Sequence, residues 1–373
     1  MAVRDPVRVA MVTNIPAPYR LPVYEILAKD PGLDFCAFFC SGREPDREWD
    51  LQQTGVKQVY FKEKFITYKS RFIHVNPDAW ACLSRFKPDV VVTTGFNPTF
   101  LVAYAYAKLH RIKHVAMTDG TLYTESFLLS AIHRWVRRWV YSGSSAFIGA
   151  SEGSFKLYDD YGVPRRLMFQ SHLCANNEAF FVTSLAERPF DFVFSARFVP
   201  GKNPVFAMDV AEAVAKRLGR RTRLLMLGSG DLAEVLESKA RAISEWVDVE
   251  FAGFVKQGDL PARYASAKVL LFPTQIDTWG VVANEACAAG VPVLVTPMAG
   301  VADDLVVDGV NGRVLPLELD RWRDAACDLL QDEAQWQAWS DASVLAVKKF
   351  SYANAAAGIA DAARFVLGQR GAA

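Results

Sequence analysis

What the 373-residue chain lacks narrows its class before any motif is read. No run of 18 apolar residues occurs, so the sequence offers no membrane-spanning helix. The formal net charge is only +1, whereas nucleic-acid binders are usually far more basic, and no nucleic-acid partner is expected. Histidine is scarce at five residues, none spaced for a metal site or a catalytic triad. The six cysteines, at 36, 40, 82, 174, 287 and 327, also lack metal-ligand spacing, and several lie in apolar stretches. They read as buried free thiols in a reducing compartment. No signal-peptide pattern precedes the first strand, so a cytoplasmic place is expected. Repeats and low-complexity tracts are missing apart from a tail of small residues.

What is present suits a soluble enzyme of two domains. A hydrophobic content of 51% with 22% charge is globular, and the length allows two sizeable cores. Charge is divided unevenly: residues 1–180 carry 22 Lys and Arg against 17 Asp and Glu, and the remainder 20 against 24. A moderately positive first half suits anionic headgroups or a phosphorylated acceptor.

Strand and helix signals alternate throughout, which argues for parallel sheets. In the first half, strands are expected at Val7–Val12, Leu33–Phe39, Asp89–Thr94, His114–Met117 and Ala146–Ile148. Helices are expected around Leu21–Ala28 and over Thr99–Leu109. In the second half the strands are Phe190–Ser195, Arg223–Leu227, Val249–Phe251, Val269–Phe272, Val291–Val295 and Gly312–Leu315, with a helix across Pro204–Leu218. The expected fold is α/β with two Rossmann-like, doubly wound domains, residues 1–180 and 186–350, and a seam near 175–190. A helix in 351–373 is expected to join the first domain.

Residues 269–296 are the most informative stretch. An apolar strand ends at Pro273, a loop carries Asp277 and Gly280, a helix runs from Val281 to Ala289, and Gly290 stops it before the next strand. Open α/β sheets bind ligands at the carboxyl ends of their strands. Two carboxylates there, Asp277 and Glu285, would engage different hydroxyls of one polyol. In the blander reading Asp277 only caps the helix and Glu285 is a surface charge.

With these segments in view the chain resembles the nucleotide-sugar glycosyltransferases of the retaining family 4, of GT-B fold, over nearly its whole length. The run Phe194-Ser-Ala-Arg197-Phe-Val-Pro-Gly201-Lys202 is similar to the family's pyrophosphate-holding segment. Leu227-Gly-Ser-Gly230 and Phe251-Ala-Gly253-Phe-Val255 occupy the next two strand ends, the second beside the nucleotide base. Asp277 and Glu285 match the family's acidic pair, and Gly300, Asp303-Asp304-Leu305 and Asp308-Gly-Val-Asn-Gly312 match its downstream segment.

The resemblance implies that Arg197 and Lys202 hold the donor diphosphate, Glu285 the ribose and Asp277 the hexose, with Gly228, Val255 and Gly280 lining the donor site. It further implies two domains facing across a cleft, acceptor in the first and donor in the second, and no metal or other cofactor. Chemistry points the same way. A diphosphate leaving group gains charge as the glycosidic bond breaks, and the Arg fork and Lys point charge would stabilise it. The expected donor is UDP- or GDP-linked and the acceptor a saccharide or lipid-linked saccharide, as in bacterial surface polysaccharide or glycolipid assembly.

The chain departs from the family pattern in two respects. The first acid of the pair is Asp277 where Glu is usual. In the first half, Asn14 opens a Pro-rich loop where relatives carry glycines, and Asp119 stands in the segment that usually carries a His. Asp119 reads equally as a contact to the transferred sugar or acceptor and as a turn former.

Residues 131–141, Ala-Ile-His-Arg-Trp-Val-Arg-Arg-Trp-Val-Tyr, form a basic aromatic helix with two readings. It would lie on a membrane surface, placing the enzyme at the inner face of the cell membrane. The slightly favoured alternative is a domain helix that packs its tryptophans inside. Among other enzyme classes, Gly228-Ser-Gly230-Asp-Leu-Ala233 with Glu250 fits a loose dinucleotide fingerprint, and sugar-nucleotide epimerases share the architecture.

Overall fold

The computed structural model describes residues 5–43, 54–68, 71–126, 130–181 and 188–368. The chain forms two compact units, one of residues 1–173 with 352–373 and one of residues 174–351.

The first unit holds a seven-stranded sheet in the order β3-β2-β1-β6-β7-β8-β9. Its strands are β1 (Val7–Thr13), β2 (Leu33–Phe39), β3 (Lys57–Tyr60), β6 (Val90–Thr93), β7 (Lys113–Thr118), β8 (Ala146–Gly149) and β9 (Met168–Gln170). A separate antiparallel pair, β4 (Phe65–Tyr68) and β5 (Arg71–His74), precedes β6. The sheet pairs are all parallel. Such strands need helical crossovers that cover both faces, which explains why β6 is buried at every position.

The second unit repeats the plan with β10 (Phe190–Ser195), β11 (Thr222–Leu227), β12 (Val247–Gly253), β13 (Ala267–Phe272), β14 (Val293–Val295) and β15 (Gly312–Val314). Their order is β12-β11-β10-β13-β14-β15, again parallel. Between them, helix Pro204–Leu218 opens with proline, whose fixed φ suits a first turn, and stops at Gly219 in the left-handed region. Phe192, Phe194, Met226, Leu294 and Trp322 meet in one core cluster.

In both sheets the winding direction reverses once, between β1 and β6 and between β10 and β13. At such a point the loops leaving adjacent strands diverge to opposite faces and leave a crevice at the carboxyl edge.

The expected strands are present with adjusted ends. Strand β14 begins at Val293 because Pro292 has no N–H to give the ladder, although its carbonyl still accepts from Leu270. Strand β3 is a half-exposed edge without clear alternation, and β9 has three residues, too few for a periodic signal. The chain passes between units at 173/174 and again at 351/352; residues 182–187 of the expected seam lie outside the described residues. The C-terminal helix, Tyr352–Val366, belongs to the first unit. There Gly358 sits against the Gln170 carbonyl, and Arg364 pairs with Asp30 at 2.5 Å.

Candidate active site

The carboxyl edge of the second sheet is a chain of hydrogen-bonded loops. The Gly228 N–H donates to the Gly253 carbonyl (2.8 Å) and the Phe198 N–H to Ser229 (2.7 Å), tying the ends of β12, β11 and β10 together. Glycine is required here, because a Cβ on Gly228 would run into the Ala196 carbonyl and its φ is +139°. Across the reversal, the Gln275 N–H donates to Gly201 at 2.9 Å, and the Gly300 N–H donates to Asp277 at 3.0 Å.

This rim brings Lys202 and Asp277 into contact: the ammonium lies 2.5 Å from Asp277 Oδ2, with both side chains about one-fifth exposed. Lys202 also donates to the Ile276 carbonyl at 3.4 Å. Asp277 Oδ1 accepts from the Trp279 backbone N–H at 3.2 Å. The loop is anchored by Trp279, whose buried indole donates to Asn284 Oδ1 at 2.8 Å and packs against Phe350.

Asp277 therefore does not cap the following helix. That place belongs to Gly280, buried at φ +106°, where a Cβ would strike the Phe272 ring. The helix Val281–Ala288 starts from this glycine with no side chain over its first N–H groups, and its dipole and open N–H groups favour an anion. Arg197 is exposed at the end of β10, and Val255 is half-buried beyond β12.

Glu285 lies within that helix and is not a surface charge. Tyr264 donates to its Oε2 at 2.8 Å. Burial is the main influence on its carboxyl and raises the pKa from 4.5 to about 7, with the Tyr264 bond opposing the rise. Burial and the neighbouring carboxylate push the Tyr264 phenol well up.

In the first unit, Asn14 and Asp119 meet at the other reversal point. They line a cavity of about 190 Å³ with Thr13, Arg20, Thr94 and Thr118, at the ends of β1, β6 and β7. The Asn14 Oδ1 atom is buried with no hydrogen-bond partner among the described residues. The turn is tightened by the Gly120 N–H donating to Thr118 Oγ1.

Two residues of these sites escaped the sequence reading. Arg20 donates to Ser171 Oγ and the His172 carbonyl, both at 3.2 Å, bracing the first loop; its signal was a cation closing a strand-end loop. Tyr264 sits on the short helix Leu260–Ala265 and carried no pattern at all. The downstream Asp308 is engaged by Arg313 at 2.9 Å, and Asn311 bonds the Val307 N–H and Leu305 carbonyl, so these residues fix a loop. Glu250, the acid of the dinucleotide reading, is half-exposed on edge strand β12 and held by Arg263. Among the described residues no group of three or more His, Cys, Asp or Glu is arranged to hold a metal ion.

The helix at 131–141, observed as Ala131–Gly143, corrects the favoured reading. Its large apolar side chains face outward: Ile132 is 73% exposed, Trp135 66% and Trp139 43%, the last lying edge-on to the buried Tyr104 at 4.7 Å. Trp135 and Trp139 lie nearly parallel, 6.4 Å apart. The helix is held from its other side by Val140 and Tyr141, both buried, and by Arg137, which bonds Glu125 at 2.8 Å and lies over Phe96. Arg137 thus shares the inward side of the helix with Val140 and Tyr141.

Comparison with known proteins completes the picture. Residues 33–169 match the model described as glycosyltransferase family 4, and residues 175–343 match glycosyl transferases group 1. The chain is 31% identical over 162 residues to the GDP-mannose-dependent alpha-(1-6)-phosphatidylinositol monomannoside mannosyltransferase of Mycobacterium tuberculosis, covering 40% of each chain. It is 25% identical over 267 residues, 71% of each, to a Campylobacter jejuni alpha-1,4-N-acetyl-D-galactosaminyltransferase named for a diphospho-undecaprenol-linked saccharide. The chain thus spans two-fifths of the mycobacterial relative's length, and 26% of the length of an archaeal one. The crystal structure of Anabaena HepE in complex with UDP superimposes with a TM-score of 0.73 over 95% of this chain and 98% of that one. At 14% identity this is a likeness of fold.

Proposed function

This chain belongs to the family 4 glycosyltransferases of GT-B fold, and we propose that it transfers a hexosyl unit from a nucleoside-diphosphate sugar to an acceptor hydroxyl with retention. The observation that carries the reading is the Lys202–Asp277 pair at the reversal point, one short helix away from a screened carboxylate, Glu285. Cation, open helix N-terminus and carboxylate are the three groups that a diphosphate and a ribose require.

In this reading Arg197 and Lys202 bind the diphosphate, and the N–H groups after Gly280 add preorganised positive potential. Asp277 receives hexose hydroxyls while keeping Lys202 in place, and Glu285 accepts from the ribose. Gly228 gives the nucleotide close access to the backbone, and Val255 lies beside the base. UDP and GDP donors are the proposed classes, with no metal or other cofactor.

Both Asp277 oxygens already accept, one from Lys202 and one from Trp279, which suits a hydrogen-bonding role better than nucleophilic attack. A same-face displacement follows. The bond from the anomeric carbon to the diphosphate oxygen breaks with its electron pair passing to that oxygen. The acceptor oxygen bonds the same face of the carbon, and its proton moves to the departing diphosphate.

The first unit would take the acceptor, a saccharide or lipid-linked saccharide, with Asn14 and Asp119 meeting its hydroxyls. We propose bacterial surface polysaccharide or glycolipid assembly as the setting, in the cytoplasm at the inner membrane face. The exposed Ile132, Trp135 and Trp139 beside the outward Arg134 and Arg138 support bilayer contact, since such a face combines apolar insertion with attraction to anionic lipid. No helix among the described residues is long and apolar enough to cross a membrane.

The test is a panel of UDP-, GDP- and ADP-sugars. One of them should raise the melting temperature and, with membrane lipid extract or saccharide, release nucleoside diphosphate. No stabilisation and no release from any donor would refute transfer.

A further inference from the structure

Glu285 is a screened carboxylate with one hydrogen-bond donor among the described residues, the Tyr264 hydroxyl. That is unusual, because a carboxylate has room for about four donors and buried ones are costly when left short. The donor it does have is built in. The Tyr264 ring is fully buried, edge-on to Phe180 at 5.8 Å, so the phenol oxygen has little freedom to leave. Tyr264 therefore donates to Glu285 Oε2 from a fixed place.

This bond occupies one oxygen of the carboxylate and restricts how the group can turn. Its other oxygen and the remaining lone pairs keep their capacity for a ligand's hydroxyls. From this geometry we infer that Tyr264 is a positioning residue that orients Glu285 for the two ribose hydroxyls of the donor, making the enzyme selective for ribonucleotides over their deoxy forms. The inference rests on the ribose role proposed above for Glu285. It goes beyond that role in naming what aims the carboxylate and which donors are refused. A ligand lacking one ribose hydroxyl would leave this screened carboxylate short of a donor, which is how a polar site rejects an analogue.

The test uses the full chain with UDP and GDP and their 2′-deoxy and 3′-deoxy counterparts, measured by calorimetry, together with steady-state kinetics on the active donor. Tyr264→Phe keeps the buried ring and removes the hydroxyl. It should weaken the ribonucleotide about fivefold, leave the deoxynucleotides within about twofold, and raise KM for the donor with kcat unchanged. Equal weakening of ribo and deoxy forms would assign Tyr264 to packing alone and overturn the inference, as would no change in either. Should Tyr264→Phe not fold, 3-fluorotyrosine placed at 264 keeps the ring and the hydroxyl, changes only its strength as a donor, and should shift the ribonucleotide affinity while leaving the deoxynucleotides within about twofold. Glu285→Gln separates the two levels of the argument. If it does not lower the ribo-to-deoxy ratio, the ribose role of Glu285 falls; if it does and Tyr264→Phe does not, only the positioning role falls.

Discussion

Asp277 grips the ammonium of Lys202 at 2.5 Å across the one place where the second sheet reverses its winding. The two residues are 75 positions apart and come from loops that leave adjacent strands, β10 and β13. An ion pair only one-fifth exposed is screened weakly by salt, so Lys202 is kept in one position before any ligand arrives. Preorganised charge of this kind is the largest single contribution in many enzymes.

Removing that charge should cost more in turnover than in binding. Lys202→Ala is expected to lower kcat by about 10²- to 10³-fold, and Arg197→Ala to weaken donor binding and turnover together. Asp277→Asn keeps the shape but releases the ammonium, and should also lower kcat. Initial-rate kinetics with the donor found in the panel checks each. Unchanged kcat in Lys202→Ala would remove it from the chemistry.

Donor affinity should rise with pH through about 7. Below that value Glu285 is protonated and offers fewer acceptor sites, whereas a nucleotide sugar's diphosphate diester does not titrate in this range. Calorimetric titration of the donor from pH 5.5 to 8.5 should give a curve that Glu285→Gln flattens.

The same group makes a stability prediction of opposite slope. Its folded pKa lies above the ordinary 4.5, so the native state holds the proton more tightly than the unfolded chain. Stability is then fully present below about 4.5 and is lost as pH rises to about 7, by up to about 1.4 kcal/mol per pH unit. Glu285→Gln should be relatively more stable than the parent at pH 8, measured by denaturant melts at both ends of the range. A difference independent of pH would contradict the assignment.

Gly280→Ala should be severely destabilising. The residue sits at φ +106°, and a Cβ would meet the Phe272 ring inside the core. Strain and overpacking together are expected to cost about 2 kcal/mol or more, with donor binding lost as the helix start shifts. Gly258→Ala, which has open space around it, is the control and should melt within about 0.5 kcal/mol of the parent.

Replacing Trp135 and Trp139 with serine should abolish sedimentation with anionic vesicles. Melting temperature should fall only modestly, because Trp135 is mostly exposed and Trp139 gives up one edge contact with the buried Tyr104. Transfer to a soluble saccharide acceptor should persist, whereas transfer to a vesicle-borne one should fall. Retained vesicle binding in the double variant would move the contact elsewhere.

The central strands and the strand-end loops of the second sheet were readable because their signals are local. An apolar run ending at Pro273, a glycine at 280 and an acid one turn into a helix sit within a dozen residues of each other, and only one arrangement satisfies all three. The Lys202–Asp277 bond was not readable, since it depends on which strands become neighbours. Tyr264 was invisible for the same reason, being one aromatic in a six-residue helix until the Val281–Ala288 helix closes over it. The 131–143 helix failed differently. Its pattern gave two faces of comparable weight, and the choice fell to Glu125, six residues before the helix begins, which draws Arg137 inward.

The return of the helix Tyr352–Val366 to the first unit has a temporal consequence. The second unit is an insertion, complete in sequence before that helix emerges from the ribosome, and it can fold while the first sheet still lacks a cover. Until the helix arrives, Phe169 lacks Phe365, and Asp30 lacks Arg364. The half that is made first is therefore the half that is finished last, and a released chain truncated before Tyr352 should be protected from protease over residues 188–350 while its earlier strands are still cut.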